Sequence, residues 1–239
     1  MTRDTQNPWR RLPSRPPYVL EEDRDRIRTF NASAKVEHQI QEALFPEPFL
    51  GAPRAPVVLL NLNPGYNADA DPVHHGKALF AKRSRENLRH TETAHPFYLI
   101  DPGLVPIRDR TAWWDKKLRC LLEDERLGNS ADSRRRRVAN CVLCVEYFPY
   151  HSKRFKHQKL QVPSQGYSFW LVRQAIRNKA VILLMRGKKL WVNAIPELTS
   201  YPGLHISKSV QNPAISPANF PKGYSIAVDT IQRKGRRFG

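Results

Sequence analysis

The sequence predicts an α/β protein: three layers, α/β/α, around a central, mostly parallel four-stranded sheet. Three observations lead there. Short apolar runs without alternation recur along the chain, as expected of strands buried on both faces. Stretches of helical periodicity separate them. Three of the four runs end in polar residues set beside proline, which makes rigid loops where an open parallel sheet gathers its ligand-binding groups. With 239 residues and 40% hydrophobic side chains, the chain is long enough for one such domain with a real core.

Residues 1–19 are rich in Pro and Arg and read as a basic arm; residues 20–239 read as a single domain with a basic tail. Residues 20–46 carry helical patterning that ends with Ile40, Ala43, Leu44 and Phe45, and Pro46 to Gly51 reads as a loop. Val57 to Leu62 is the first strand. Thr111 is placed to cap a helix running to Arg126, with Trp114, Leu118, Leu121 and Leu122 on one stripe. Val138 to Tyr147 is the second strand; Ser164 opens a helix with Phe169, Val172 and Ile176 on one face. Ala180 to Met185 and Leu204 to Ser209 are the third and fourth strands, and Gly223 to Gln232 is the final helix.

The 20 prolines exceed the usual share of about 5% and point to many fixed loops. The net charge of +18 makes a polyanion the first partner to consider. No apolar run approaches the roughly 20 residues that span a bilayer. The start, MTRDTQNPWRR, lacks an apolar signal core, so an intracellular, nucleic-acid-associated protein is expected. Cys141 and Cys144, read inside a strand, point to opposite faces, and with Cys120 they are taken as buried thiols rather than metal ligands. Neither a metal nor a cofactor is expected.

The strand ends carry the chemistry. The first ends in Asn63-Pro64-Gly65-Tyr66-Asn67, the second in Glu146-Tyr147-Phe148-Pro149-Tyr150-His151, the third in Arg186-Gly187-Lys188-Lys189, and the fourth in Gln211-Asn212-Pro213-Ala214-Ile215-Ser216-Pro217. In this set the chain resembles the uracil-DNA glycosylase superfamily, over roughly Phe45 to Val228. Asn63-Pro64-Gly65 is similar to the first motif of its mismatch-specific and single-strand-selective branches. "VILLMRGKKLW" looks like its third strand and the turn that follows. "SVQNPAISPANF" looks like its last motif, usually His-Pro-Ser-Pro, and "LCVEYFPYHS" occupies the place of the strand whose end reads the base.

The resemblance implies a monofunctional DNA glycosylase that flips a base and hydrolyses its N-glycosidic bond, leaving an abasic site. It places Asn63 at the attacking water and Asn212 at the leaving base, with Gln211 as the fallback. Asn212 stands where most relatives carry histidine, so donors other than imidazole are needed for the departing charge. Glu146 falls where single-strand-selective relatives carry the Asn that reads uracil. An ionised carboxylate only accepts hydrogen bonds, which suits the exocyclic amine of cytosine. A cytosine-derived base, 5-substituted or hypermodified as in phage DNA, is therefore expected, with uracil as the alternative. The first implies a role in defence, the second in repair.

Pro64, Gly65, Tyr66, Phe97 and Tyr98 are the remaining candidates around the base; Asp69, Asp71 and His151 are further candidates, read first as solvated loop groups. Arg186, Lys188, Lys189, Lys153, Arg154, Ser216 and Asn219 are expected on the backbone of double- or single-stranded DNA. Phe220 is placed to wedge into the gap left by the flipped base. No lysine stands out for Schiff-base chemistry. The rival from another class is a nucleic-acid-binding protein that keeps the fold without the chemistry.

Overall fold

The sheet is built from five short strands: β1 Phe49–Gly51, β2 Val57–Asn61, β3 Val142–Glu146, β4 Val181–Leu184 and β5 Leu204–Ile206. The computed structural model that carries them describes residues 6–209, 211 and 213–235. The spatial order is β1-β3-β2-β4-β5. β3, β2, β4 and β5 run parallel, and β1 pairs antiparallel with the β3 edge.

The four parallel strands are those the sequence predicts. β1 is a correction, since Pro46 to Gly51 reads as a loop. Three residues between prolines are too few to show a period. Gly51 ends β1 at φ +112°, where a Cβ would stand 2.2 Å from the Val142 carbonyl oxygen, so only glycine fits.

Among the described residues, eight α-helices flank the sheet: α1 Glu21–Ser33, α2 Asp71–His75, α3 Ala78–Leu88, α4 Arg108–Glu123, α5 Ala131–Cys141, α6 Gln165–Arg177, α7 Lys188–Ala194 and α8 Pro221–Lys234. Alternate strand residues feed two cores, which gives the three layers. Val58, Leu60, Leu143, Val145, Ile182 and Leu184 pack under α1, α6 and α7, with Ile27, Leu171 and Trp191. Val57, Leu59, Val142, Cys144, Val181 and Leu183 pack under α4, α5 and α8, with Leu118, Val138 and Val228. Both faces of each central strand are sealed, so truncation of Leu59 or Leu60 to alanine costs about 2–5 kcal/mol.

Several boundaries differ from the sequence expectation. The helical patterning over 20–46 resolves into α1, a short 3-10 turn at Val36–His38 and extended chain. Thr111 lies inside α4, which begins at Arg108. Val138 to Cys141 belong to α5, because Ser130 and Ser133 form a capping box that starts a helix there. Cys141 and Cys144 thus sit on different elements, both buried thiols. The arginines of α5 brace the fold: Arg134 donates to the Leu122 and Gly128 carbonyls at 2.9 and 3.0 Å, and Arg135 pairs with Asp115. The basic arm is docked over its described part, with Trp9, Leu12, Val19 and Leu20 in the core. Arg85 holds it through the Pro13 and Ser14 carbonyls. Among the described residues, no helix is long and apolar enough to cross a membrane.

Candidate functional site

The chain leaves β2 for β3 on one side and returns to β4 on the other, so the carboxyl end of β2 is the switch point where an open sheet forms its crevice. Asn61 and Glu146 close β2 and β3 in register with one another. Their side chains share a face, and Asn61 Nδ2 donates to Glu146 Oε1 at 3.1 Å. Both residues are buried, and Asn61 Oδ1 and Glu146 Oε2 have no hydrogen-bond partner. Burial of an orphaned polar atom costs about 1–3 kcal/mol, so this pair asks for an explanation.

Burial pushes the Glu146 carboxyl up to about 8; the Glu47 charge raises it further, while the Asn61 hydrogen bond and the Arg186 charge pull it down. Near neutral pH Glu146 is therefore mostly uncharged. Oε1 already accepts from Asn61, so the proton belongs on Oε2, which becomes a donor. This removes the premise of the sequence-based argument for cytosine, which took Glu146 as a pure acceptor. An acid with one donor and one acceptor oxygen can pair with the edge of cytosine or of uracil.

The Asn63-Pro64-Gly65 turn lies beside this pair. Asn63 Nδ2 donates to the Pro64 carbonyl at 2.9 Å and to Ser152 Oγ at 3.0 Å. Both amide hydrogens are committed, which leaves Oδ1 to take a hydrogen from a water. The Ser152 N–H donates to the Pro64 carbonyl at 3.4 Å. His151, fully buried, sets Nδ1 against the Gly65 carbonyl at 2.7 Å and Nε2 against the Phe45 carbonyl at 2.9 Å. His151 and Ser152 are thus clamps on the turn rather than exposed loop groups. Gly187, at φ +74°, lets the start of α7 approach Leu62, whose Cδ2 would lie 2.4 Å from an added Cβ.

One cluster has metal-ligand residue types: ligand atoms of Glu47, His75 and His151, all buried, lie within 4.8 Å of one another. The histidine nitrogens do not fit a cation. His75 Nδ1 accepts the Phe45 N–H at 2.9 Å, so its proton sits on Nε2. Both nitrogens of His151 already stand against carbonyl oxygens, at 2.7 and 2.9 Å, which leaves neither open to an ion.

The other predicted residues divide. Tyr66 is half-buried and lines a cavity of about 260 Å³ with Tyr18, Leu44, Pro72 and His75. Pro64 is buried and Gly65 exposed. Asp71 is buried and accepts the Asn67 N–H at 2.8 Å, holding the loop before α2, whereas Asp69 is exposed. Phe97 and Tyr98 are corrections: both rings are core, Phe97 edge-on to Trp114 and Tyr98 edge-on to Phe80, so neither is available to stack on a base. Phe220 is also a correction, 1% exposed in the core under α8, where it cannot wedge into DNA.

Ser216 and Asn219 brace their own loop: Ser216 Oγ accepts the Asn219 N–H at 3.3 Å, and Asn219 Nδ2 donates to the Ala214 carbonyl at 2.9 Å. Lys153, Arg154, Lys188 and Lys189 are exposed just beyond the ends of β3 and β4, with Arg186 half-buried among them. Asn212 lies outside the described residues.

Five groups at this end of the sheet were not singled out in the sequence: Glu47, Asn61, His75, Lys117 and Ser152. Two left a signal. Asn61 stands two residues before Asn63, as a polar group ending an apolar strand. Lys117 interrupts the apolar stripe of α4 between Trp114 and Leu121. Glu47, His75 and Ser152 left none, because their surroundings come from contacts distant in sequence.

The wide groove at the opposite end of the sheet, about 1260 Å³ and bordered by Pro56, Cys141 and Ala180, holds none of these groups. No family model, no curated protein and no solved structure matches the chain, so its chemistry is read from these residues alone.

Proposed function

We propose that the chain is a DNA N-glycosylase. It takes a flipped pyrimidine, cytosine-derived (5-substituted or hypermodified) or uracil, into the crevice at the ends of β2 and β3, and hydrolyses its glycosidic bond. The observation that carries the reading is the buried Asn61–Glu146 pair, with two orphaned polar atoms beside a turn that pins Asn63. Such groups become satisfied when a base edge supplies the missing partners. Neutral Glu146 donates to a ring nitrogen or carbonyl of the base, and Asn63 Oδ1 orients a water toward C1′. A dissociative bond cleavage needs positioning and charge stabilisation more than a strong base. In this reading Arg186 and the exposed Lys153, Arg154, Lys188 and Lys189 hold the phosphates.

The test is a panel of single- and double-stranded oligonucleotides carrying uracil, a thymine mismatch, cytosine, 5-hydroxymethylcytosine or its glucosylated form, incubated with the chain and then cleaved with alkali. Strand breaks at one modified position support the reading. Glu146→Asn tests the reader: an unchanged ratio between uracil and modified cytosine places base recognition elsewhere.

A second reading is a nucleic-acid-binding protein without catalysis. Asn212 in place of histidine favours it, as does the burial of Phe220, which removes the wedge expected for opening a duplex. A glycosylase acting on single strands has less need of a wedge. Salt-sensitive binding with no breaks on any oligonucleotide decides for the second reading.

A further inference from the structure

The cavity of about 260 Å³ draws its walls from three stretches of chain: Pro16 and Tyr18 of the arm, Leu44 before β1, and Tyr66, Pro72 and His75 around α2. Pro16 and Pro72 are exposed, so the cavity opens at the surface, while Tyr18 and Tyr66 are half-buried. The Tyr18 ring is fixed. It stacks on Phe45, with centroids 4.2 Å apart and 18° between the planes, and the Arg85 guanidinium lies 5.6 Å from its centroid. The Tyr18 N–H donates to the Glu42 carbonyl at 2.7 Å, which ties down the arm. A ring held in this way loses little freedom when another ring stacks on it.

The cavity adjoins the strand-end crevice without being part of it. Asn61, Asn63 and Glu146 contribute nothing to its walls. Tyr66, however, follows Gly65 directly, and the His75 ring stands 5.3 Å from the His151 ring, which meets the Gly65 carbonyl. The turn therefore presents Asn63 at one place and leads into Tyr66 at the next. Tyrosine and proline walls left open to water favour a flat, largely apolar occupant. The net charge of +18 calls for a polyanion, and the exposed Arg15 precedes Pro16. Unpaired nucleobases are the flat groups that such a strand carries.

We propose that this cavity is a second nucleobase site, in which an unpaired base next to the one that is hydrolysed stacks on Tyr18. The choice of neighbour rests on the glycosylase reading; the stacking itself needs only a single strand. One base enters the crevice behind the turn, and the adjoining nucleotide reaches the cavity beside it. The stack reads no sequence, because every base has a π-face. It favours single strands, in which the base has no pairing partner to give up. The docked arm is thereby part of the binding surface, since Pro16 and Tyr18 belong to it.

The experiment is photo-cross-linking of the full, unaltered chain to single-stranded oligonucleotides that carry one 4-thiothymine, followed by peptide mapping. In one set the probe is moved along the strand on either side of the base that is released; in the other it sits in a thymine homopolymer. The expected result is an adduct on Tyr18 or Tyr66 from a position next to the released base, and from the homopolymer. No adduct on the cavity walls, or one formed only from the released position, overturns the proposal. Tyr18→Leu should weaken binding of the homopolymer by about 5- to 100-fold, and Tyr18→Phe, which keeps the ring, should bind like the parent. Equal binding by all three chains also overturns it, and the mapping decides even where Tyr18→Leu fails to fold. Base release without an adduct on the cavity walls sinks the stacking proposal alone. An adduct from the homopolymer without release of any base sinks the glycosylase reading and leaves the stacking site to a binding protein.

Discussion

Two buried carboxyls stand at the β3 end of the molecule and do opposite things. Asp23, on α1, is fully buried and finished: Tyr150 donates its hydroxyl to Oδ2 at 2.6 Å, and the Ser164 N–H donates to Oδ1 at 3.0 Å. Tyr150 in turn accepts the Leu20 N–H at 3.2 Å. That seam joins α1, the loop after β3 and the start of α6. Glu146 is as deeply buried but has one amide donor and an orphaned oxygen. Burial raises both carboxyls. The difference teaches that burial by itself does not mark a site; Glu146 stands apart from Asp23 by an orphaned oxygen at the carboxyl ends of the strands.

The comparison breaks most visibly in stability. Asp23→Ala orphans the Tyr150 hydroxyl and the Ser164 N–H and is expected to cost about 3 kcal/mol or more, read from urea unfolding. Glu146→Gln keeps the shape of a neutral acid and is expected to stay within about 1 kcal/mol of the parent, while changing which base is released. Equal losses in the two variants would erase the distinction.

The pH dependence sharpens it. Glu146 has a folded value of about 8 against an ordinary 4.5, so between those pH values the folded chain keeps a proton that the unfolded chain has lost. Its contribution is complete below pH 4.5 and is lost as pH rises toward 8, by up to about 1 kcal/mol per pH unit. Glu146→Gln should flatten that slope in a series of urea titrations. A slope that survives the exchange belongs to another group.

A smaller effect is expected at the clamp. Ser152→Ala frees one amide hydrogen of Asn63 and should cost about 1 kcal/mol of stability. If the turn serves catalysis, base release should fall further than this loss explains. A fall in proportion to the unfolded fraction would make Ser152 purely structural.

The smallest effect is expected away from the site. His157 is buried among Phe30, Phe148 and Phe155, and neither ring nitrogen has a partner. His157→Phe should raise the melting temperature by a few degrees, since it removes two orphaned nitrogens. Burial also lowers this ring to about 4 from 6.5, so its neutral form favours folding above pH 6.5, and that contribution fades as pH falls toward 4. The variant should therefore gain most in acid.

By itself the sequence determined the layers. Apolar runs such as Val57 to Leu60 are strands because both of their faces must be covered, and that pattern is local. The same local logic marks Asn63-Pro64-Gly65 as a rigid turn at a strand end, and Glu146 as a polar group closing a buried run. Tertiary structure alone decided what those groups are. Glu146 is an acid rather than a carboxylate because α/β packing removes its water and brings Glu47 near. Asn63 is pinned because Ser152 reaches it from 89 residues away. Phe97, Tyr98 and Phe220 carry the right chemistry for a base or a duplex but face inward, since an aromatic ring serves a core as readily as a site. Charge state and accessibility are set by neighbours distant in sequence, and no local pattern encodes them.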